Sequence, residues 1–185
     1  MFQTSKPVAE INVRNMQRAF MQYMGSSFQL MIPNYFMPNG YEADIFCMRK
    51  TRYVVEVEIK TSISDMRADF KKSHTIYPKT AEEAEKYWRQ PDGSRTPYPE
   101  KLKHDCLQAG ELLTNRFAFF VPWTLKDKAI EILPKYAGLY VFTERGTVHE
   151  HKAPPLLHKR KLDVSHDQGV LANLNWRYLR LWMKE

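Results

Sequence analysis

The chain has 185 residues, enough for one compact α/β domain with a buried core and a terminal extension. Hydrophobic residues make up 43% and charged residues 26%, as in ordinary soluble globular proteins, and no apolar run is long enough to cross a membrane. A net charge of +7 favours an anionic partner such as nucleic acid, although many basic proteins bind none. Two cysteines and no secretion signal predict a reduced, cytoplasmic protein without a disulfide framework.

The first third of the chain predicts a helix followed by a three-stranded meander. Asn12 can cap a helix that continues to about Met24, because apolar residues recur there at helical spacing. β-type runs follow at 27–36, 41–48 and 53–61, and turn-forming residues separate them. Three consecutive strands joined by short turns are expected to pair as antiparallel neighbours.

The rest of the chain predicts alternating helices and strands. Ser62, with Asp65 three residues later, is expected to cap a helix that ends near Lys72. Further helices are expected at 101–113, 126–133 and 168–184, and strands at 115–121, 137–142 and 147–151. The last helix shows an apolar stripe that predicts packing on the core, made of Leu171, Leu174, Tyr178, Leu181 and Trp182.

Residues 73–100 interrupt this pattern as an insertion rich in proline, charge and aromatic side chains. A long loop in a small domain is usually functional or disordered. Its aromatics alternate with cations and could form a flap that stacks on bases and binds phosphates, or could fold back onto the core. The residues concerned are Tyr77, Tyr87, Trp88 and Tyr98, with Lys79, Lys86, Arg89 and Arg95.

Asp44, Glu58 and Lys60 form the constellation that suggests chemistry. Asp44 and Glu58 stand near the middles of two consecutive strands, so their carboxylates can converge on one cation if the strands pair. Lys60 projects from the same strand face as Glu58 and could orient a water or neutralise a phosphate. The alternative is a half-exposed strand whose polar face, Glu56 to Lys60, is simply solvated.

The sequence around these residues resembles that of the PD-(D/E)XK nuclease superfamily, and of its MmcB-like branch in particular. Glu42-Ala43-Asp44, a gap of 13 residues and Glu58-Ile59-Lys60 match the acid and (Asp/Glu)-X-Lys signature. More specific segments follow in the order seen in that branch, at 43–45, 57–62, 65–71, 116–122 and 133–139. Members of the branch are associated with DNA repair, and similar proteins occur in phages. The resemblance covers roughly residues 12–150.

The resemblance implies a restriction-endonuclease-like α/β core, with a central mixed sheet flanked by helices, over residues 1–152. Residues 153–185 would add a basic linker and a C-terminal helix. It also implies that Asp44, Glu58 and the backbone carbonyl of Ile59 bind Mg²⁺, with Mn²⁺ as a substitute, and that Lys60 is the catalytic lysine. A further acid from the first helix or strand is usual in the superfamily, and here the position near Asn34 holds an amide instead.

Three other acids are candidates for that additional ligand. Glu10 precedes the first helix, where the helix dipole alone would favour an acid. Glu56 lies on the same strand face as Glu58 and could bind a second metal or pair with a surface cation. Glu42 could likewise bind a second metal or pair with a surface cation.

Five cationic residues are candidates for phosphate or DNA contacts. Lys103 and His104 open a helix, where cations oppose the helix dipole, which favours a functional use over a solvated first turn. Arg67, Lys71 and Lys72 follow the active strand and as a group would attract a polyanion, although each alone fits a solvated face.

These observations predict a magnesium-dependent nuclease that hydrolyses DNA, in repair or in the processing of phage or host DNA. The alternative is a nuclease fold kept as a DNA-binding or assembly module with little or no turnover, which the missing third acid favours. RNA remains open as a substrate. Cutting of two strands would favour a homodimer.

Overall fold

The protein is described here by a computed structural model covering residues 8–37, 41–76, 80–85, 87, 93–94 and 96–183. The order of elements confirms a mixed α/β architecture. Helices are α1 (Val13–Met24), α2 (Ile63–Asp69), α3 (Ala81–Glu85), α4 (Lys103–Gln108), α5 (Lys126–Ile132) and α6 (Asp167–Trp182). Strands are β1 (Leu30–Phe36), β2 (Glu42–Met48), β3 (Val54–Ile59), β4 (Ser73–Thr75), β5 (Glu100–Leu102), β6 (Arg116–Pro122), β7 (Ala137–Phe142) and β8 (Val148–Lys152).

A six-stranded mixed sheet in the order β1-β2-β3-β6-β7-β8 forms the centre of the fold. The predicted meander is confirmed, because β1, β2 and β3 pair as antiparallel neighbours. Strands β3, β6 and β7 are parallel, and β8 closes the sheet as an antiparallel edge. The parallel connections explain why helices separate the later strands, since parallel neighbours require a crossover.

Helices cover both faces of the sheet, and the alternation along β6 shows which residues serve each face. Ala118 and Phe120 pack with Phe20 of α1 on one face. Phe117 and Phe119 pack with residues of α2, α4 and α5 on the other. Because β3 alternates in the same way, Val55 and Val57 face α1, and Glu56, Glu58 and Lys60 face α2 and α4.

Two helix starts follow the local sequence as predicted. The Asn12 side chain accepts a hydrogen bond from the Asn15 N–H at 2.8 Å, and the Ser62 hydroxyl accepts one from the Asp65 N–H at 3.1 Å. Such caps satisfy N–H groups that the helix leaves free. Cys47 and Cys106 are both buried, and neither forms a disulfide.

The insertion begins and ends in paired backbone. β4 and β5 form a two-stranded antiparallel ribbon that joins residue 73 to residue 102. The prediction of one helix over 101–113 is therefore wrong at both ends: the first residues pair in β5, and α4 ends at Gln108. Most of the proposed flap, including Tyr77, Trp88, Lys79, Lys86, Arg89 and Arg95, lies outside the described residues. Tyr87 and Tyr98 are described and have ring centroids 5.1 Å apart.

The C-terminal segment is attached to the meander through the turn between β2 and β3. The Arg52 guanidinium donates to the carbonyls of Leu162 and Asp163 and pairs with the Asp167 carboxylate at 2.9 Å. The buried Asn115 side chain accepts from the Val54 N–H and donates to the carbonyls of two linker residues. The linker is therefore bound to the sheet by polar contacts of its backbone.

The predicted apolar stripe of the last helix is wrong at Leu171 and Tyr178 and holds at Leu174. Val170 is buried and Leu174 is partly buried, but Leu171 and Tyr178 are 64% and 60% exposed. The side chains of Leu181 and Trp182 lie outside the description. Residues 170 and 174 are one turn apart, so the helix contacts the core along a narrow line near its start. Within the described residues, no helix has the length and apolar character to cross a membrane.

Substitution of Gly138 tests how closely the linker backbone at Pro154 packs against β7. An added Cβ at Gly138 would lie 2.6 Å from the backbone N of Pro154, whereas at Gly169 in α6 it would meet nothing within 4 Å. We expect Gly138→Ala to lower the free energy of unfolding by about 1–3 kcal/mol. Gly169→Ala should leave it unchanged or raise it by up to about 1 kcal/mol. Urea denaturation compares the two, and equal stability of both variants would contradict the packing described.

Candidate active site

Asp44 and Glu58 come together across the pairing of β2 and β3. Ile45 lies opposite Val57 in the antiparallel register, which brings Asp44 to the position opposite Glu58. The Asp44 carboxylate accepts a hydrogen bond from the Ile59 N–H at 2.7 Å through Oδ2. Asp44 is half-buried, whereas Glu58 is only 1% exposed. The two acids therefore adjoin, and Asp44 stands on the side open to solvent.

Lys60 binds Glu58 and an acid that the sequence did not single out. Its ammonium lies 3.1 Å from Glu58 Oε2 and 2.8 Å from Asp69 Oδ1. Asp69 is the last residue of α2 and is fully buried. Asp69 lies nine residues after Lys60 and gives no sequence signal beyond an acid on an otherwise apolar helix face. The fold brings it under Lys60 because α2 packs back onto β3.

Lys103 neutralises two carboxylates from the opposite side of the cluster. Its ammonium lies 2.8 Å from Glu58 Oε1 and 2.6 Å from Glu56 Oε1. The contact with Glu56 is an ion pair that is not aligned as a hydrogen bond. The other oxygen of Glu56 accepts from the Tyr41 hydroxyl at 2.8 Å and from Thr114 at 2.6 Å. Glu56 is thus fully enclosed. It neither pairs with a surface cation, as expected, nor is exposed as a metal ligand.

His104 completes this arrangement beside Asp69. Its Nε2 lies 2.8 Å from Asp69 Oδ2, and its Nδ1 lies 2.7 Å from the Tyr136 hydroxyl. An ionised carboxylate can only accept, so His104 carries its proton on Nε2. Lys103 and His104 are 2% and 5% exposed. The expectation that they face a phosphate, or that they form a solvated first turn, is therefore corrected: both are buried partners of carboxylates.

Charges in the buried cluster hold one another ionised. Burial opposes ionisation of Glu58, but Lys103, Lys60 and Lys72 outweigh it and keep the pKa of Glu58 below its usual range. Burial would lower the pKa of Lys60, but Glu58 and Asp69 raise it above its usual range. Lys60 is therefore a permanent cation that can stabilise negative charge, and it cannot accept a proton from water.

Asp44 is the acid of this region whose charge changes near neutral pH. Burial, followed by the neighbouring negative charge of Glu58, raises its pKa from 3.8 to about 6, against the opposing effect of the Ile59 N–H. Lys60 and Lys72 lower it by smaller amounts. The Asp44 carboxylate is ionised above that pH and then adds a negative charge on the open side of the cluster.

The remaining candidates lie at the edge of the cluster or away from it. Lys72 pairs with Asp69 at 2.6 Å while its side chain is 48% exposed, so it bridges the buried charges and solvent. Arg67 and Lys71 are exposed, and Arg67 lines a cavity of about 530 Å³ just beyond Lys60. Glu42 is exposed at the start of β2. Glu10 bonds only with Asn15 among the described contacts, and the fold does not bring it to Asp44.

Residue 34 differs from its neighbours in β1 because it adopts a left-handed backbone, with φ of 49°. Asparagine tolerates this conformation better than most residues. Its side chain accepts from Gln17 Nε2 at 2.8 Å, and the same nitrogen donates to the carbonyl of Asp44 at 3.1 Å. Position 34, considered for a further acid, therefore holds an amide that together with Gln17 positions the backbone of Asp44.

Lys103→Met tests whether the buried carboxylates depend on this ammonium. The change leaves Glu56 and Glu58 enclosed without their shared cation, so we expect a loss of about 3–5 kcal/mol in the free energy of unfolding. Adding Glu56→Gln should recover part of the loss. The control is Lys101→Met, two residues before Lys103, which removes only an exposed ion pair with Glu111 and should change little. Urea denaturation measures all three, and a stable Lys103→Met protein would contradict the cluster.

Asp44→Asn tests the raised pKa of the native carboxyl. The Asp44 carboxyl has a pKa of about 6 in the folded protein, against an ordinary value of 3.8. The folded state therefore loses stability relative to the unfolded state as the pH rises from 3.8 to about 6. Asparagine does not titrate, so the variant should melt above the wild type at pH 8, with a smaller gap at pH 4. Glu42→Gln, exposed on the same strand, should show no such gap. Melting curves in EDTA provide the comparison.

No family model matches the sequence, and no curated protein matches it either. Among solved structures, a protein of unknown function from Silicibacter pomeroyi is similar, with a TM-score of 0.58 and 14% identity. The similarity covers 95% of this chain and 94% of that chain. At this identity the similarity shows a shared fold, a mixed α/β sheet compatible with a restriction-endonuclease-like core, and it extends over the C-terminal segment as well.

Proposed function

We propose that the protein is a metal-dependent nuclease that hydrolyses DNA phosphodiester bonds, as a member of the MmcB-like branch of the PD-(D/E)XK superfamily. One arrangement carries the proposal. The Asp44 carboxylate accepts a hydrogen bond from the Ile59 N–H opposite Glu58, and the Lys60 ammonium donates to Glu58. These are the three motif residues, and they meet on one side of β3. The resemblance favours a role in DNA repair or phage DNA processing, and the few cysteines favour the cytoplasm.

The donor set suits a hard cation such as Mg²⁺, which takes oxygen ligands and keeps several waters. Asp44, Glu58 and the Ile59 carbonyl would hold the ion, and Asp44 Oδ1 is an oxygen with no described hydrogen bond. Within the described residues no group of three acidic, histidine or cysteine ligands converges, so one or two carboxylates must suffice. Bound there, the ion would neutralise phosphoryl charge and acidify a water.

The chain's own groups prepare the site for an anionic substrate. Lys60 holds a fixed positive charge beside the two acids, which would stabilise negative charge that develops on a phosphate. Asp69, Lys103 and His104 fix Lys60 and Glu58 in place from behind. Arg67, Lys71 and Lys72 add exposed positive charge close by, which attracts a polyanion. Cutting both strands of a duplex would require two such sites, which favours a homodimer.

One observation favours the second candidate, a DNA-binding or assembly module without turnover. Both oxygens of Glu58 are already paired, one with Lys103 and the other with Lys60. An ion must therefore compete with at least one ammonium for Glu58. Lys72, which is half exposed, can move aside, but Lys103 is enclosed. The more firmly Glu58 is held by lysines, the weaker metal binding becomes.

Substitution of the motif residues separates the two candidates. We expect purified protein to cut plasmid or single-stranded DNA with Mg²⁺ or Mn²⁺, and Asp44→Asn and Lys60→Met to lower the rate at least about 100-fold. Both variants should keep their affinity for DNA in EDTA, and Glu42→Gln should cut normally. Absence of cleavage and of ion binding in the wild type, with DNA bound, would support the module. RNA of equal length, added as competitor, tests substrate class.

A further inference from the structure

Helix α6 carries a basic aromatic groove that the motif chemistry does not use. A cavity of about 400 Å³ is lined by Asn173, Trp176, Arg177 and Arg180. Trp176 is 62% exposed, an unusual state for the largest apolar side chain. No acidic residue occurs in the sequence from 168 to 183, so the groove has no anion of its own helix nearby. An indole ring and two guanidinium groups line it.

Arg177 fixes the groove to the sheet. Its guanidinium donates to the carbonyls of Pro33 at 2.6 Å and Asn34 at 2.5 Å, and its Nε donates to Asn173. All three nitrogens are therefore engaged, and Arg177 forms the rigid base of the groove. Arg180 is exposed and pairs with no acid among the described residues, which leaves its charge available to a ligand.

The groove is one strand away from Asp44. Pairs Pro33↔Ile45 and Tyr35↔Ala43 flank the position where Asn34 stands opposite Asp44. Neighbouring strands are about 5 Å apart. The Asn34 side chain and the Asp44 carbonyl also share the same Gln17 amide, so the base of the groove and the candidate active site are joined by consecutive hydrogen bonds. A strand lying across Asp44 can place a neighbouring nucleotide on α6.

We propose that this groove binds one nucleotide of a single-stranded nucleic acid, with the base stacked on Trp176 and the phosphate paired with Arg180. Every base has a face that stacks on an aromatic ring, and a free guanidinium pairs with phosphate, which is how proteins bind unpaired strands without sequence preference. In a duplex the base faces are covered by stacking, so the groove selects unpaired DNA. The inference rests on the proposed function and deepens it by naming the form of the substrate.

Binding without catalysis provides the test. Full-length protein is titrated in EDTA against fluorescein-labelled oligothymidine, and against the same strand paired with oligoadenine, with anisotropy as the readout. We expect tighter binding to the single strand, and a loss of about 5- to 100-fold for Trp176→Ala. Trp176→Phe should retain most of the affinity. Arg180→Ala should lower the affinity and make its salt dependence shallower by about 0.7 in logarithmic slope.

Tyr178→Ala is the matched control, because Tyr178 is equally exposed on α6 but does not line the groove. Its affinity should equal that of the wild type. The proposal is overturned by unchanged binding in Trp176→Ala, by an equal loss in Tyr178→Ala, or by a preference for the duplex. It is also overturned if light scattering shows that Trp176→Ala alters self-association and not DNA binding. Since the binding assay needs no metal, binding can be found where cleavage is absent, and cleavage can be found where this binding is absent.

Discussion

Three carboxylates enclosed between a sheet and two helices set the strongest constraint on this molecule. Glu56, Glu58 and Asp69 are at most 1% exposed, and the free energy of burying such charges is offset only if each is paired. Lys60 and Lys103 supply that pairing from β3 and α4. The positions of α2 and α4 are consequently set by electrostatics as well as by apolar packing. A change that unpairs one carboxylate affects both the stability of the fold and the geometry of the motif.

The same cluster decides how the candidate chemistry would operate. Its buried part is permanently charged, and among the described residues Asp44 and Lys72 connect it with solvent. A cation or a phosphate would therefore approach from β2, over Asp44, towards Lys60. Lys72 stands at this boundary and pairs with Asp69 and Glu58. Its departure would remove one of the two ammonium groups beside Glu58 Oε2, and Lys60 would still hold that oxygen.

Local patterns in the sequence predict the meander, the caps of α1 and α2 and the shared face of Glu56, Glu58 and Lys60, because each depends on neighbours within a few residues. Those patterns do not show whether that face is solvated or enclosed, since the answer lies in α4, some 45 positions later in the chain at Lys103. Arg52 and Asn115 were missed for the same reason, since their partners lie 110 and 61 positions away, and Asp69 was missed because its role depends on how α2 packs onto β3. The stripe of α6 failed because a long helix contacts the core only near its start.

The ribbon formed by β4 and β5 has a consequence for how this fold can vary. It closes the insertion through the pairs from Ser73↔Leu102 to Thr75↔Glu100, and the Lys103 N–H donates to the Lys72 carbonyl at its base. The segment between Thr75 and Glu100 can thus change in length or composition without moving Lys72 or Lys103. The charged cluster would therefore keep its geometry through changes in that segment, because both lysines are anchored outside it.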